Sequence, residues 1–599
     1  MTNPSSAQGV YWDLNDLYLG LDDPRIEADL KSCLTASQSF AAQYRGFFKT
    51  SPTPAAVGAA FRTLEAIYLS LSKLGAYAGL RTAVDNLNVG CRQLEDRIDQ
   101  ASVEIQNLLT FFELEWLQVS EEDAQKLADA PELENYQHYL LSGRRYKPHT
   151  LSEQEEVLLN HKSLTARSAW VNLFDEFLAS MEYRFDYNGE QQTLTQPALL
   201  ALSYQPDRGM RKAAQECLYT ELSRHELVLT NVFNAITQDH GLNDQIRHYQ
   251  SPIASRHLAN EIETEVVDRM QWVTESNYDI AHRYYRLKAR LLGLEKMATY
   301  DQYAPVATKL PSCGYEDGRQ MVLTAFGRFD PNMQQIASQF FEKNWIDAEV
   351  RPGKRGGAFS ASTVPTVHPY VMLNWTDKLR DVNTMAHELG HGVHQYLSRQ
   401  QTYFNFHHPL PVAETASVFG EFLTFDYLME IETDPEVKLG LLCSKIEDAF
   451  ATVFRQNVLT RFEQLAHKAR REQKLSSDQI CDHWWQANQA LYGDSVDMLE
   501  QYRWGWSYIP HFIHTPFYCY AYVFGELLVL SLYRMYQEEG RAFVPRYLEL
   551  LKSGSKWEPA ELLNRVGADI RDGEFWQKGF EVLRSLVGQA EDLAKKLGR

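Results

Sequence analysis

Two histidines four residues apart, His387 and His391, bracket Glu388, Leu389 and Gly390 in the pattern His-Glu-x-x-His. The run from Asp381 to Leu397 is expected to be one helix with Asp381 as its N-cap. Residues four apart on a helix stand one turn above each other, so both imidazoles face the same way. They could hold one Zn²⁺ at roughly 2.0–2.1 Å each. Glu388 is offset by about 100° around the helix, beside the ion, where a base for an attacking water belongs. Val382, Met385, Leu389, Val393 and Tyr396 form an apolar stripe on the opposite side, so the core can hold the helix while its ligands face a cleft. A chance match in a chain with 18 histidines is on the order of a few per cent, so the pattern alone is suggestive. Gly390 and Gly392 add weight, because each costs a helix up to ~1 kcal/mol relative to Ala. Close packing against another element or a ligand would give a reason to accept both.

A catalytic zinc needs a third protein ligand and an open position. The extended metzincin pattern requires Gly at 394 and His at 397, and the chain has His394 and Leu397. Glu414 is the best acidic candidate, in a helix with Pro411 near its first turn. Glu414, Ser417 and Glu421 share one face, so Ser417 and Glu421 are candidates for orienting a histidine; for Glu421 a solvated acid is an equal alternative. His394 is read as an outer partner of the site or a surface residue, since a fourth ligand would close the site. A further segment, Trp504 to Tyr522, packs aromatic residues around His511 and His514. Thr515 and Pro516 look like N-cap and first position of a helix, which puts Tyr518 and Tyr522 on one face and Tyr520 on the other. His511, Tyr518 and Tyr522 could donate to the oxyanion of a tetrahedral intermediate; an aromatic core helix is the plain alternative.

The elements that must position these groups are mostly helices. Residues 57–85, 91–118, 152–182, 206–240, 257–292 and 435–470 carry apolar residues at three- and four-residue spacing. Ser152 and Glu155 form a capping-box start, and Asn188-Gly189 signals a hairpin. A non-helical island is expected over about 296–376, with the segment Pro369–Trp375 as an edge strand because Pro cannot donate to a ladder. Gly 32 and Pro 22 in 599 residues are few for an all-β chain. The net charge of −20 argues against a general nucleic-acid binder and against anionic membranes. The apolar stretch 512–533 contains His514, Pro516 and Glu526 and reads as a buried helix, not a membrane span. Seven scattered cysteines with no CxxC pair, and an N-terminus without a basic start or apolar core, point to the cytoplasm.

Taken together, Arg351–Ser360, Pro369–Trp375, the His387–His391 pattern, Val412–Ser417, the segment His511…Tyr518…Tyr522 and the opening Tyr11–Tyr18 resemble the M3 family of zinc metallopeptidases, in its oligoendopeptidase F branch. The resemblance spans nearly the whole chain. It implies a mainly α fold enclosing a deep substrate channel; with the boundary that the helical run opening at Pro206-Asp207-Arg208 suggests near 205, this gives an N-terminal helical oligopeptidase F-like domain over 1–205 and a helical, zincin-type catalytic domain over 206–599 with a small β-sheet. It implies one Zn²⁺ per chain on His387, His391 and Glu414, with Glu388 as general base and His511 with the tyrosines stabilising the transition state. It also implies oligopeptide substrates and a monomer or small oligomer. The expected activity is hydrolysis of internal bonds in short peptides, with strand addition to Pro369–Trp375 as the mode of binding. Two alternatives stand beside it: a carboxypeptidase that anchors a free C-terminus through Arg or Lys, and a non-catalytic peptide-binding scaffold with a vestigial metal.

Overall fold

The computed structural model describes residues 5–306 and 311–599; residues 1–4, part of the N-terminal stretch weighed above, and residues 307–310 lie outside the described residues. Helices dominate. The sheets among the described residues are a hairpin, a two-residue parallel pair and one three-stranded sheet. The chain divides into two compact units, each assembled from three stretches: 1–147, 310–431 and 535–569 in the first, 148–309, 432–534 and 570–599 in the second. The expected division near residue 205 therefore falls inside the second unit.

In the first unit, helices Pro24–Tyr44, Pro54–Val84 and Val89–Gln118 surround an aromatic core that includes Phe40, Phe61, Phe112 and Trp116. Each of the first two begins with Pro behind a capping side chain, Asp23 or Thr53. The island over 296–376 is not free of helix: it contains Tyr315–Phe329 and Pro331–Glu342. Asp330 starts the second of these by accepting from the N–H groups of Asn332 at 2.9 Å and Met333 at 3.0 Å.

The three-stranded sheet consists of β1 (Ile346–Asp347), β2 (Phe359–Ala361) and β3 (Tyr370–Met372) in the order β1-β3-β2. The segment after Pro369 was expected at an edge and lies in the centre, parallel to β1 and antiparallel to β2. Pro369 precedes the strand, so its missing N–H removes no ladder bond. The outer side of β1 is covered, with Ala348 N–H donating to Val10 at 3.0 Å. β2 is the other edge, where Gln395 Nε2 donates to the Ser360 carbonyl at 3.3 Å and Ser360 Oγ donates to Gln395 Oε1 at 2.8 Å.

The motif Arg351–Ser360 is a brace for β2. Buried Asp347 takes both Arg351 Nη1 (2.7 Å) and Nη2 (2.8 Å) and pairs with Lys354 at 2.7 Å. Lys354 also donates to Leu373 O at 2.6 Å, and Asn374 Nδ2 donates to the carbonyls of Arg355 and Gly357. The opening motif braces the same sheet: Trp12 packs on Tyr370 and Phe359, and Asp16 hydrogen-bonds His368 at 2.8 Å.

The second unit packs its helices around Phe233, Phe462, Trp484 and Trp506. The hairpin pairs Tyr183–Tyr187 with Glu190–Leu194, and Asn188 and Gly189 both take positive φ, as a two-residue loop of this kind requires. The Ser152–Glu155 capping box forms as expected. No helix among the described residues is long and apolar enough to cross a membrane. All seven cysteines are unpaired.

Candidate metal centre

Helix α1 (Leu379–Ser398) begins two residues before Asp381, and Asp381 folds back on the start from the third helical position instead of serving as the N-cap. Its Oδ2 accepts from Thr376 N at 2.6 Å, Thr376 Oγ1 at 3.0 Å and Lys378 N at 3.1 Å. The apolar stripe does what its pattern implied: Val382, Met385, Leu389 and Val393 are fully buried. Helix α2 (Thr415–Ile431) crosses α1 very closely. A Cβ on Gly390 would lie 2.3 Å from Ala416 O and 2.6 Å from Ser417 Cα, and one on Gly392 would meet Phe340 at 2.6 Å. Both glycines are there for close approach.

That crossing sets the geometry of the ligand candidates. Glu414 occupies a one-residue break between the turn Leu410–Ala413 and α2. Its Oε2 lies 3.4 Å from His387 Nε2 and 3.3 Å from His391 Nε2. The three ligand atoms of His387, His391 and Glu414 fall within 4.8 Å of one another. Their side chains remain 28%, 18% and 45% exposed, so the convergence point is open on one side. Ser417 Oγ donates to Glu414 Oε2 at 2.6 Å, so it orients the carboxylate and not a histidine. Glu421 is no solvated acid: its Oε1 accepts from His387 Nδ1 at 2.7 Å, which leaves the Nε2 lone pair free toward the convergence point.

The electrostatics follow from this packing. Burial disfavours a charged His387, but the Glu421 hydrogen bond and the charges of Glu421, Glu414 and Glu388 outweigh it and lift its pKa to about 9. Burial also opposes a charged Glu414, yet His391, His387 and Ser417 hold it at about 2. An anionic Glu414 beside His387, whose pKa is raised, is a donor set that wants a cation at its centre, and His₂Glu suits Zn²⁺. Glu388 follows His387 directly, is 7% exposed, and accepts no hydrogen bond among the described residues. Burial raises its pKa, against the pull of His387 and His391. His394, read as an outer partner of the site or a surface residue, is not on the surface: it is buried, with its ring stacked on His408 at 3.4 Å. Burial pushes both imidazoles far down, so the pair is neutral.

His511, Tyr518 and Tyr522 belong to the second unit and come together there. His511 Nε2 lies 3.4 Å from Tyr522 Oη, and the Tyr518 and Tyr522 rings meet edge to face at 5.2 Å. Tyr520 points elsewhere: fully buried, its hydroxyl meets His257 Nδ1 at 3.1 Å and accepts from Asn260 at 2.8 Å. The separation of faces matches the expectation, but the helix start does not. Thr515 ends the short turn His511–His514, and the long helix opens at Tyr520. Between them Phe517 takes φ +60°, a conformation rare for a bulky side chain.

What holds that bend is Glu463, which the sequence reading missed. Its Oε1 accepts the Phe517 N–H at 2.7 Å from inside the protein. The one available signal was an acid on the apolar stripe Val458, Leu459, Phe462, Ala466. Burial drives the Glu463 pKa up to about 8, opposed by the Phe517 N–H and the charge of Arg256. A carboxyl raised in the folded state binds its proton more tightly there than when unfolded, so stability is complete below about pH 4.5 and falls as pH rises toward about 8. Glu463→Gln keeps the acceptor and cannot ionise. The melting temperature of wild type relative to this variant is therefore expected to drop between pH 5 and 8; parallel curves would contradict it.

Comparison with known proteins fits this constellation. The model for peptidase family M3 matches residues 329–582, and that for oligopeptidase F matches residues 115–183. The plasmid-encoded oligoendopeptidase F of Lactococcus lactis subsp. cremoris is 28% identical over 534 residues, 88% of each chain. Oligopeptidase PepF of Bacillus subtilis is 26% identical over 535 residues, 88% of this chain and 79% of its own. Among solved structures, a Chlamydophila abortus protein assigned as a peptidase superposes with a TM-score of 0.89 at 25% identity, over 98% of this chain and all of its own. Oligoendopeptidase F of Enterococcus faecium shares the fold, with a TM-score of 0.70 at 23% identity over 95% and 98% of the two chains. Helix α1, Glu414 and α2 lie within the first matched region, and on this evidence the chain belongs to peptidase family M3, in its oligopeptidase F branch.

Proposed function

We propose that the chain is a zinc-dependent endopeptidase of short peptides, with His387, His391 and Glu414 holding one Zn²⁺. The observation that carries this reading is the convergence of those three ligand atoms beside an unencumbered Glu388. A bound Zn²⁺ would supply Lewis acidity and lower the pKa of a coordinated water toward about 7. Glu421 fixes the tautomer and rotation of His387, and Ser417 fixes the Glu414 carboxylate. Glu388 takes the proton from the attacking water and later returns it to the leaving amine, a task suited to a buried carboxyl of raised pKa. His511, Tyr518 and Tyr522 are assigned to the oxyanion, an assignment supported by the family resemblance and by their grouping away from Tyr520. Backbone pairing with an extended peptide is assigned to the β2 edge, which has a single strand neighbour, rather than to Pro369–Trp375, where β3 already has two. Seven unpaired cysteines support a reducing, cytoplasmic setting.

The test is mass spectrometry of products from an N-acetylated, C-amidated peptide of roughly ten residues, a size suited to a closed cleft. Internal cleavage that stops on chelation and returns with Zn²⁺ is the expected result. Trimming of unblocked peptides alone would indicate an exopeptidase, and no cleavage of either would indicate a binding scaffold. Glu421→Ala should weaken Zn²⁺ binding about 10- to 100-fold by freeing the His387 ring. Competition with a chromophoric chelator measures it, and an unchanged affinity would remove Glu421 from the site.

A further inference from the structure

Within the second unit lies a pocket of about 510 Å³, counting its open mouth, that the catalytic reading does not use. Arg455, in the first turn of α3 (Phe454–Glu472), lines it together with Tyr219, Tyr303, Tyr502 and Tyr508. Among the described residues, the hydrogen-bond acceptor of the guanidinium is the Tyr303 hydroxyl, and no carboxylate pairs with it. Other enclosed arginines of this protein are neutralised: Arg211 by Asp301 at 2.8 Å, Arg144 by Glu121 at 2.6 Å. A guanidinium cannot shed its charge, and placing one inside protein without an anion is costly. Tyr219 and Tyr502 cannot substitute, since burial drives their pKa values far up and keeps them neutral.

The pocket thus offers one permanent cation, several hydroxyl groups, and walls of aromatic rings with Leu199 and Leu218. One positive charge matches one negative charge. A phosphate dianion would need more cations than the pocket has, and the chain's net charge of −20 works against polyanions. A planar carboxylate can take two parallel N–H bonds from a guanidinium, and an apolar group attached to it would meet the rings. Tyr508 also stands three residues before His511, so an occupant lies beside the segment that carries that histidine. We propose that Arg455 and its tyrosines bind the C-terminal carboxylate of a short peptide with an apolar last residue. This rests on the peptidase reading for its substrate class, and it makes a free carboxyl end a determinant of which peptides are taken.

The test is isothermal titration of the zinc-loaded Glu388→Gln protein with an N-acetylated hexapeptide ending in leucine, as free acid and as amide. The acid is expected to bind about tenfold or more tightly than the amide. N-acetyl-leucine, which carries the same end group as a released product would, should compete with the acid and not with the amide. In Arg455→Gln the acid should fall to the affinity of the amide. Should that variant not fold, judged by its melting curve, Tyr303→Phe combined with Tyr508→Phe should shrink the ratio instead. Equal binding of acid and amide, or a ratio that survives these substitutions, overturns the proposal. Failure of wild type to cleave internal bonds of the N-acetylated free-acid peptide would overturn the endopeptidase reading separately, because the acid-to-amide ratio is a binding measurement.

Discussion

Glu388→Gln is expected to retain a full complement of Zn²⁺ while turnover falls by about 10²- to 10⁴-fold. The substitution is nearly isosteric, and Glu388 makes no hydrogen bond among the described residues that the amide would break. The ligand atoms sit on the neighbouring His387, on His391 and on Glu414, none of which leans on the Glu388 carboxylate. What the amide cannot do is accept a proton. The loss should therefore appear in kcat with KM little changed, because substrate binding does not use the lost group. Metal content by mass spectrometry alongside steady-state kinetics decides the matter. Near-normal turnover in a fully metallated variant would remove Glu388 as the base.

Gly390→Ala should be the most damaging single-atom addition near the site. Helix propensity alone predicts a gain of up to ~1 kcal/mol. Packing predicts the opposite, since the new Cβ would sit 2.3 Å from a carbonyl oxygen and 2.6 Å from a Cα of α2. Neither atom can rotate away, so the helices must separate, at a cost of about 1–3 kcal/mol or more. Glu414 lies two residues before Ala416, so separation also spoils its 3.3–3.4 Å approach to the histidines. A lower melting temperature and weaker Zn²⁺ binding are expected together. Gly356→Ala is the matching control, because a Cβ there meets nothing within 4 Å. A stabilised Gly390→Ala protein would show that the crossing is looser than its backbone contacts imply.

The ligand helix was legible because its information is local: a four-residue spacing, an opposed apolar stripe and two glycines with no helical reason to be there. Glu421 was legible for the same reason, since position on a helix face can be counted, whereas Glu414 stands in the break before α2 and not on the continuous helix its spacing suggested. Strand position could not be counted. β3 is three residues long, and whether it is central or at an edge depends on β1 and β2, which are shorter than any periodicity can register. The helices over 315–342 were hidden by Pro311, Gly314 and Pro331, although Asp330 before Pro331 is a start signal as much as a break. Thr515-Pro516 misled in the opposite direction: its local chemistry suits a helix start, but a hydrogen bond from Glu463, 54 residues away, bends the chain there first. The ring of tyrosines around Arg455 draws on segments near 219, 303, 455 and 502–508, which no reading of neighbours along the chain could assemble.

The order in which residues leave a ribosome gives the three-stretch composition of each unit a separate meaning. The first unit needs residues 535–569 and the second needs residues 570–599, so neither can close while most of the chain is being made. Helix Pro54–Val84 can pack early on its chain neighbours Pro24–Tyr44 and Val89–Gln118, but the segment Tyr403–Phe406 that also covers it arrives more than three hundred residues later. Beyond that early cluster of residues 33–140, nascent chains should stay open, protease-sensitive and dependent on chaperones until synthesis is nearly finished. A fragment ending at residue 431 would carry His387, His391 and Glu414, and yet lack the last stretch that their own unit requires.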